Sequence, residues 1–215
     1  MMYKTYVIKS KEELDRCPIF QVNHVLWNSS RQPETFGQMA YLDGEGLFIR
    51  MTCVEQNPKR ELQNHRDMVC RDSAVEAFFA FPDPELKQTE QPSNDSLYLN
   101  FEINANGAMH AKYGHGRQGR QFLTEEEYAL TGISAVIEPD RWTVELLVPD
   151  ALLKRLGLFA FQAGDTFFCN FYKIAEDPVI GHYMAYNPIP TEKPNFHLPA
   201  HFARAEIKGE IRDAE

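Results

Sequence analysis

Along the chain, apolar and polar positions alternate with a period of two in several short runs, which is the pattern of strands with one face turned to a core. Leu47–Val54 places Leu47, Ile49, Met51 and Cys53 on one side, with Phe48, Arg50 and Thr52 on the other. In Ala74–Phe81, Val75, Ala77, Phe79 and Phe81 oppose Glu76 and Phe78. In Leu97–Asn104, Leu97, Leu99, Phe101 and Ile103 oppose Tyr98, Asn100, Glu102 and Asn104. Trp142–Val148 sets Val144, Leu146 and Val148 against Glu145, and Phe167–Ile174 sets Cys169 and Phe171 against Asn170 and Tyr172. Tyr3–Ile8 and Arg204–Ile207 are weaker runs of the same kind. Turn chemistry separates them, and Asn106-Gly107 lies between two extended segments as a hairpin turn would. Helix signals are few and short: Ser10–Arg16 with a capping-box pattern, Thr124–Leu130, and Pro149–Leu156 followed by Gly157. The pattern predicts an all-β fold, an antiparallel β-sandwich of jelly-roll or immunoglobulin-like type with a few short helices. With no repeat or linker visible, residues 1–215 are expected to form one domain.

The polar sides of these strands carry the candidate chemistry. If the strands share a sheet, one face holds Arg50, Glu76, Asn100, Glu102, Asn104, Glu145, Asn170 and Tyr172. Carboxylates, amides, a guanidinium and a phenol together suit a ligand rich in hydroxyl groups. The plainer reading is the solvated face of an antiparallel sheet.

Several of these segments resemble the family 9 carbohydrate-binding modules. Asp72-Ser73-Ala74-Val75-Glu76-Ala77-Phe78-Phe79 is similar to the family's D-S-x-V-E-x-F strand. Tyr98 to Gly107 resembles its tyrosine-led strand ending in Asn-x-x-Gly, and Trp142-Thr143-Val144-Glu145 with Val148-Pro149 its W-x-V-E…I-P segment. Gly164 with Asn170-Phe171-Tyr172-Lys173, and Asn195-Phe196-His197-Leu198-Pro199 with Phe202, resemble the last two signatures. The resemblance implies a β-sandwich that binds sugar, of glucan or xylan type, in support of carbohydrate catabolism. It implies that Glu76 bonds sugar hydroxyls, that Phe196 occupies one of two aromatic clamp positions, and that Asn104 matches a family asparagine. The other clamp position falls near Cys70, and the family's arginine position falls on Glu102. The family includes members with structural calcium, but no compact ligand cluster in this sequence calls for it, and no cofactor is expected.

Composition narrows the partners. A formal net charge of −9 argues against nucleic acid or an anionic membrane surface as the main partner. The N-terminus lacks the apolar core of a signal peptide, so a cytoplasmic location is the default, with secretion left open. Cys17, Cys53, Cys70 and Cys169 are scattered and form no CxxC pair, which predicts free thiols. His197 and His201 have an HxxxH spacing, but Pro199 between them favours packing over metal binding. The glycine-rich basic segment Gly114–Gln121 is either a mobile loop or a source of Arg117 or Arg120 for a ligand. Trp27 is expected to pack in the core, with a sugar platform as the other reading. Tyr183, Tyr186 and Phe196, in a Pro-rich stretch, are the preferred aromatic contacts. The expected ligand-binding set is Arg50, Glu76, Asn100, Glu102, Asn104, Asn170, Tyr172, Tyr186 and Phe196. The enzymatic alternative is a glycoside hydrolase using a pair among Glu76, Glu102 and Glu145.

Overall fold

The computed structural model describes residues 2–82, 90–157 and 161–211. In chain order its strands are β1 (Met2–Ile8), β2 (Ile19–Gln21), β3 (His24–Leu26), β4 (Glu34–Leu42), β5 (Gly46–Val54), β6 (Ala74–Ala80) and β7 (Leu97–Asn104). They continue with β8 (Met109–His115), β9 (Gln121–Phe122), β10 (Ser134–Ile137), β11 (Trp142–Pro149), β12 (Thr166–Ala175), β13 (His182–Ala185) and β14 (Ala203–Glu210). Two short helices, α1 (Glu125–Leu130) and α2 (Asp150–Arg155), complete the set with a few 3₁₀ turns. The mostly-β expectation with few helices holds.

The sheet is mixed, which departs from the expected antiparallel sandwich. Its order is β10-β11-β5-β4-β1-β14-β12-β6-β7-β8-β9, with β13 on β12, β3 on β13 and β2 on β4. Most pairs are antiparallel, but β1 runs parallel to both β4 and β14. These two strands join the halves, which curl around one core. That core takes Ile49 and Met51 from β5, Val144 and Leu146 from β11, Val75 and Phe79 from β6, and Phe101 from β7. Alternation does not report strand direction, so this feature was not readable from the runs.

The outer faces of the two halves are separate places. On β6, β7 and β12 the outer residues Phe78, Tyr98, Phe168 and Tyr172 carry a second apolar layer built with Ile189, Phe196 and Phe202 of the C-terminal segment. On β4 and β5 a smaller cluster forms around Ala40, Leu42 and Phe48 beneath the turn Lys11–Arg16. Asn106-Gly107 makes the expected hairpin between β7 and β8, with Gly107 at φ 79° and its N–H donating to Asn104 O at 2.9 Å. Thr124 makes the full capping box with Glu127 at α1, whereas Ser10 makes no side-chain cap.

Candidate functional site

The outer face of β6 and β7 becomes a cleft where the C-terminal segment leaves it uncovered. Strand register sets the floor. Tyr172, Glu76, Glu102 and His110 form one rung across β12, β6, β7 and β8, and Asn170, Phe78, Asn100 and Lys112 form the next. Glu76 and Glu102 are therefore side by side, about 5 Å apart at Cβ as cross-strand pairs are. The cavity above them has a volume of about 410 Å³.

Both carboxyl groups are out of water. Glu76 is 3% exposed, and its Oε2 has no hydrogen-bond partner among the described residues. Burial holds its carboxyl well above the usual range, and the charges of Glu102 and Glu176 add to this against Lys173. Burial pushes Glu102 up to about 7, with Glu176 adding and Lys112, Asn100 and Arg120 opposing. Asn100 donates from Nδ2 to Glu102 Oε1 at 2.9 Å. Its Oδ1 accepts from Arg120 Nη2 at 2.6 Å. Arg120 also donates to the carbonyls of Tyr98, Lys112, Gly114 and Gly116, and its guanidinium lies 3.4 Å from the Tyr98 ring centroid. Burial lowers Arg120 to about 10, so it stays charged at neutral pH. The Gly114–Gln121 segment thus folds an arginine inward to orient Asn100.

The opposite wall is aromatic. Trp27, Tyr183 and Phe196 border the cavity together. Phe196 stacks on Tyr172 with ring centroids 4.0 Å apart and planes at 10°, and Trp27 covers it at 5.3 Å and 37°. Phe196 is accordingly only 5% exposed. It supports the wall, while Trp27 is half-buried and offers ring surface to the cavity. Trp27 is held at φ 50° and donates from its indole N–H to Thr191 O at 2.8 Å. Glu176 closes one end, its N–H donating to Cys70 O at 2.6 Å.

Of the expected residues, Glu76, Asn100, Glu102 and Phe196 border this cavity. The others have different work. Tyr172 is buried beneath Phe196 and donates its hydroxyl to Phe196 O at 3.2 Å. Asn104 shares the face but is held by Leu62 O and Asp72, and Asn170 by the backbone of Asn187. Two placements are corrected. Arg50 does not lie beside the carboxylates: β4, β1 and β14 separate β5 from β12, and Arg50 is ion-paired with Glu145 at 2.7 Å and Asp15 at 2.5 Å. Tyr186 does not overhang the face: it packs in the inner core with Tyr3, Phe20 and Phe171. Trp27 and Arg120 reach the site from loops, Lys112 from β8 and Glu176 from the residue after β12, where no alternation marks them. His197 has a packing role, pairing through Nδ1 with the Tyr98 hydroxyl at 2.9 Å, and burial lowers its pKa to about 3. Among the described residues no cluster of three or more His, Cys, Asp or Glu side chains could hold a metal ion.

The family model for carbohydrate-binding family 9 matches residues 7–207. The chain belongs to that family. Its fold recurs in a candidate carbohydrate-binding protein from Bacteroides uniformis, with a TM-score of 0.77 and 18% identity over 96% of this chain and 99% of that one. It recurs in a family 9 carbohydrate-binding module from Caldicellulosiruptor kristjanssonii. The module's complex with cellotriose gives a TM-score of 0.62 and 12% identity, covering 100% of this chain and 97% of that one. The complex with glucose gives a TM-score of 0.65 and 10% identity, covering 100% of both chains. No curated protein matches the chain. At these identities the likeness to the solved structures is one of fold. No helix among the described residues is long and apolar enough to cross a membrane.

Proposed function

We propose that this family 9 domain binds a saccharide of glucan or xylan type in the cleft over β6 and β7, in support of carbohydrate catabolism. The observation that carries the reading is the pairing of an aromatic wall with a hydrogen-bonding floor. Trp27 supplies a flat apolar surface for the C–H face of a sugar ring, and Glu76, Asn100 and Glu102 meet its hydroxyl edge. The floor is preorganised, because Arg120 fixes Asn100 and Asn100 fixes Glu102 before a ligand arrives. That a family module of this fold is complexed with cellotriose and glucose supports the choice of ligand class.

A hydrolytic reading fits less well. Glu145 is bound to Arg50 on the other half of the sheet. Glu76 and Glu102 adjoin on one floor and do not face each other across a bond. Both are also held toward the protonated form, whereas glycoside hydrolysis needs one carboxyl protonated and its partner ionised. Calorimetry with cellotriose, glucose and xylo-oligosaccharides tests the proposal. Trp27→Ala should keep the fold and weaken binding about 10-fold, the scale of one lost aromatic contact. Unchanged affinity in a folded Trp27→Ala protein would move the site elsewhere. Release of reducing ends would favour the hydrolase.

A further inference from the structure

Carboxylates and cations line the cleft in equal number but are not equally engaged. Three carboxylates, Glu76, Glu102 and Glu176, border it together with three cations, Lys112, Arg117 and Arg120. Among the described residues none of the three carboxylates is ion-paired. Arg117 stands exposed on the Gly114–Gln121 loop, and the other two cations are engaged elsewhere. Arg120 spends its Nη groups on four backbone carbonyls and Asn100. Lys112 turns its Nζ over the Phe122 ring at 4.2 Å from the centroid. Glu76 is the decisive residue: it borders the cavity, it is 3% exposed, and its Oε2 has no hydrogen-bond partner among the described residues. A buried acceptor is normally satisfied, so an orphan on a side chain that lines a cavity marks where a ligand's donor belongs. On the same cavity, the ring of Trp27 presents a π face that favours positive charge.

We infer that the preferred saccharide carries a protonated amine, seated between Glu76, Glu102 and Glu176 with its ring against Trp27. The inference rests on the saccharide-binding reading above and deepens it. An ammonium group brings donors for several carboxyl oxygens at once and, as a positive charge beside them, draws Glu76 and Glu102 toward their ionised form. A hydroxyl brings one donor and no charge. A neutral amide on the same carbon brings one donor and extra bulk.

Three trisaccharides with the same β-1,4-linked backbone separate these cases: cellotriose, the glucosamine trimer and its N-acetylated form. Ethanolamine serves as an amine without a sugar ring. At pH 6.5 the glucosamine trimer should bind about 10- to 150-fold more tightly than cellotriose, as expected of hydrogen bonds to a charged group. Glu102→Gln keeps the acceptor for Asn100 and should collapse that preference, read as the ratio of the amine-trimer and cellotriose affinities in the same variant. Glu176→Gln, at an exposed position that the fold tolerates, should reduce it and keeps the test open if Glu102→Gln does not fold. Cellotriose binding as tightly as the amine trimer would overturn the inference and leave the saccharide reading intact. So would ethanolamine matching the trimer, or a preference that survives both variants. Binding by none of the three trisaccharides would overturn the saccharide reading, and this inference with it.

Discussion

At Glu102 a single side chain joins strand pairing, burial and charge. The carboxyl rises from an ordinary 4.5 to about 7, chiefly through burial and then through Glu176. Between those values the folded chain keeps a proton that the unfolded chain has released. Stability from this group is therefore complete below pH 4.5 and is lost as the pH rises through 7. Glu76 moves in the same direction. His182 and His197, lowered by burial to about 4 and about 3, work oppositely, losing stability as the pH falls below 6.5. Comparing parent with variant cancels those histidines. Glu102→Gln should gain thermal stability relative to the parent between pH 5 and pH 8, by on the order of 1–3 kcal/mol. Melting curves across that range check it, and a pH-independent difference would show that Glu102 stays ionised in the fold. Glu76, Asn100 and Glu102 were legible in the sequence because alternation puts them on one face. The same rule could not distinguish them from Arg50, which obeys it on β5, because alternation gives the face of a strand and not its place in the sheet.

Between residue and molecule, the readable elements were those with one clean apolar face. β5, β6, β7, β11 and β12 lie close to their expected bounds. β4 escaped because Gly37 interrupts it and because its last four residues are buried on both faces, which erases the alternation. At Gly37 a Cβ would stand 2.4 Å from Arg50 O and 2.5 Å from the Phe20 ring, so close packing of β2 and β5 requires the glycine that hid the strand. The Gly114–Gln121 loop is the element where a plain reading most underestimated structure. Gly114, Gly116 and Gly119 adopt φ of 151°, 60° and 67°, conformations that fold the loop back over its own arginine. Arg120 then serves as the loop's core. Arg120→Lys should cost roughly 2–3 kcal/mol of stability and weaken saccharide binding, since an ammonium cannot span four carbonyls and Asn100 in the plane of a guanidinium. Denaturant midpoints and calorimetry read the two effects. A lysine variant as stable as the parent would mean the loop needs no such anchor.

The whole molecule depends on its two ends. β14, the last strand described, lies in the middle of the sheet, parallel to β1 on one side and antiparallel to β12 on the other. Ala203, Ala205 and Ile207 of this strand enter the inner core. Its short side chains let the halves approach where the sheet curls. The site lies wholly in the half built on β12, β6, β7 and β8, but that half reaches the rest of the sheet through β14. Removing residues 203–215 would expose the ladder edges of β1 and β12 together and strip the core between them. Unpaired buried backbone and lost apolar burial act in the same direction. The truncated chain should show no cooperative unfolding transition and bind no saccharide, even though every cleft residue remains. Because β1 and β14 stand at opposite ends of the sequence, their pairing closes the longest loop in the fold. Refolding of the full chain should accordingly be slow, on the scale of milliseconds to seconds or longer. Calorimetric unfolding of the truncated protein and stopped-flow refolding of the full chain measure the two consequences. A truncated protein that melts cooperatively and still binds would show that the site-bearing half folds by itself, with β14 closing the sheet only afterwards.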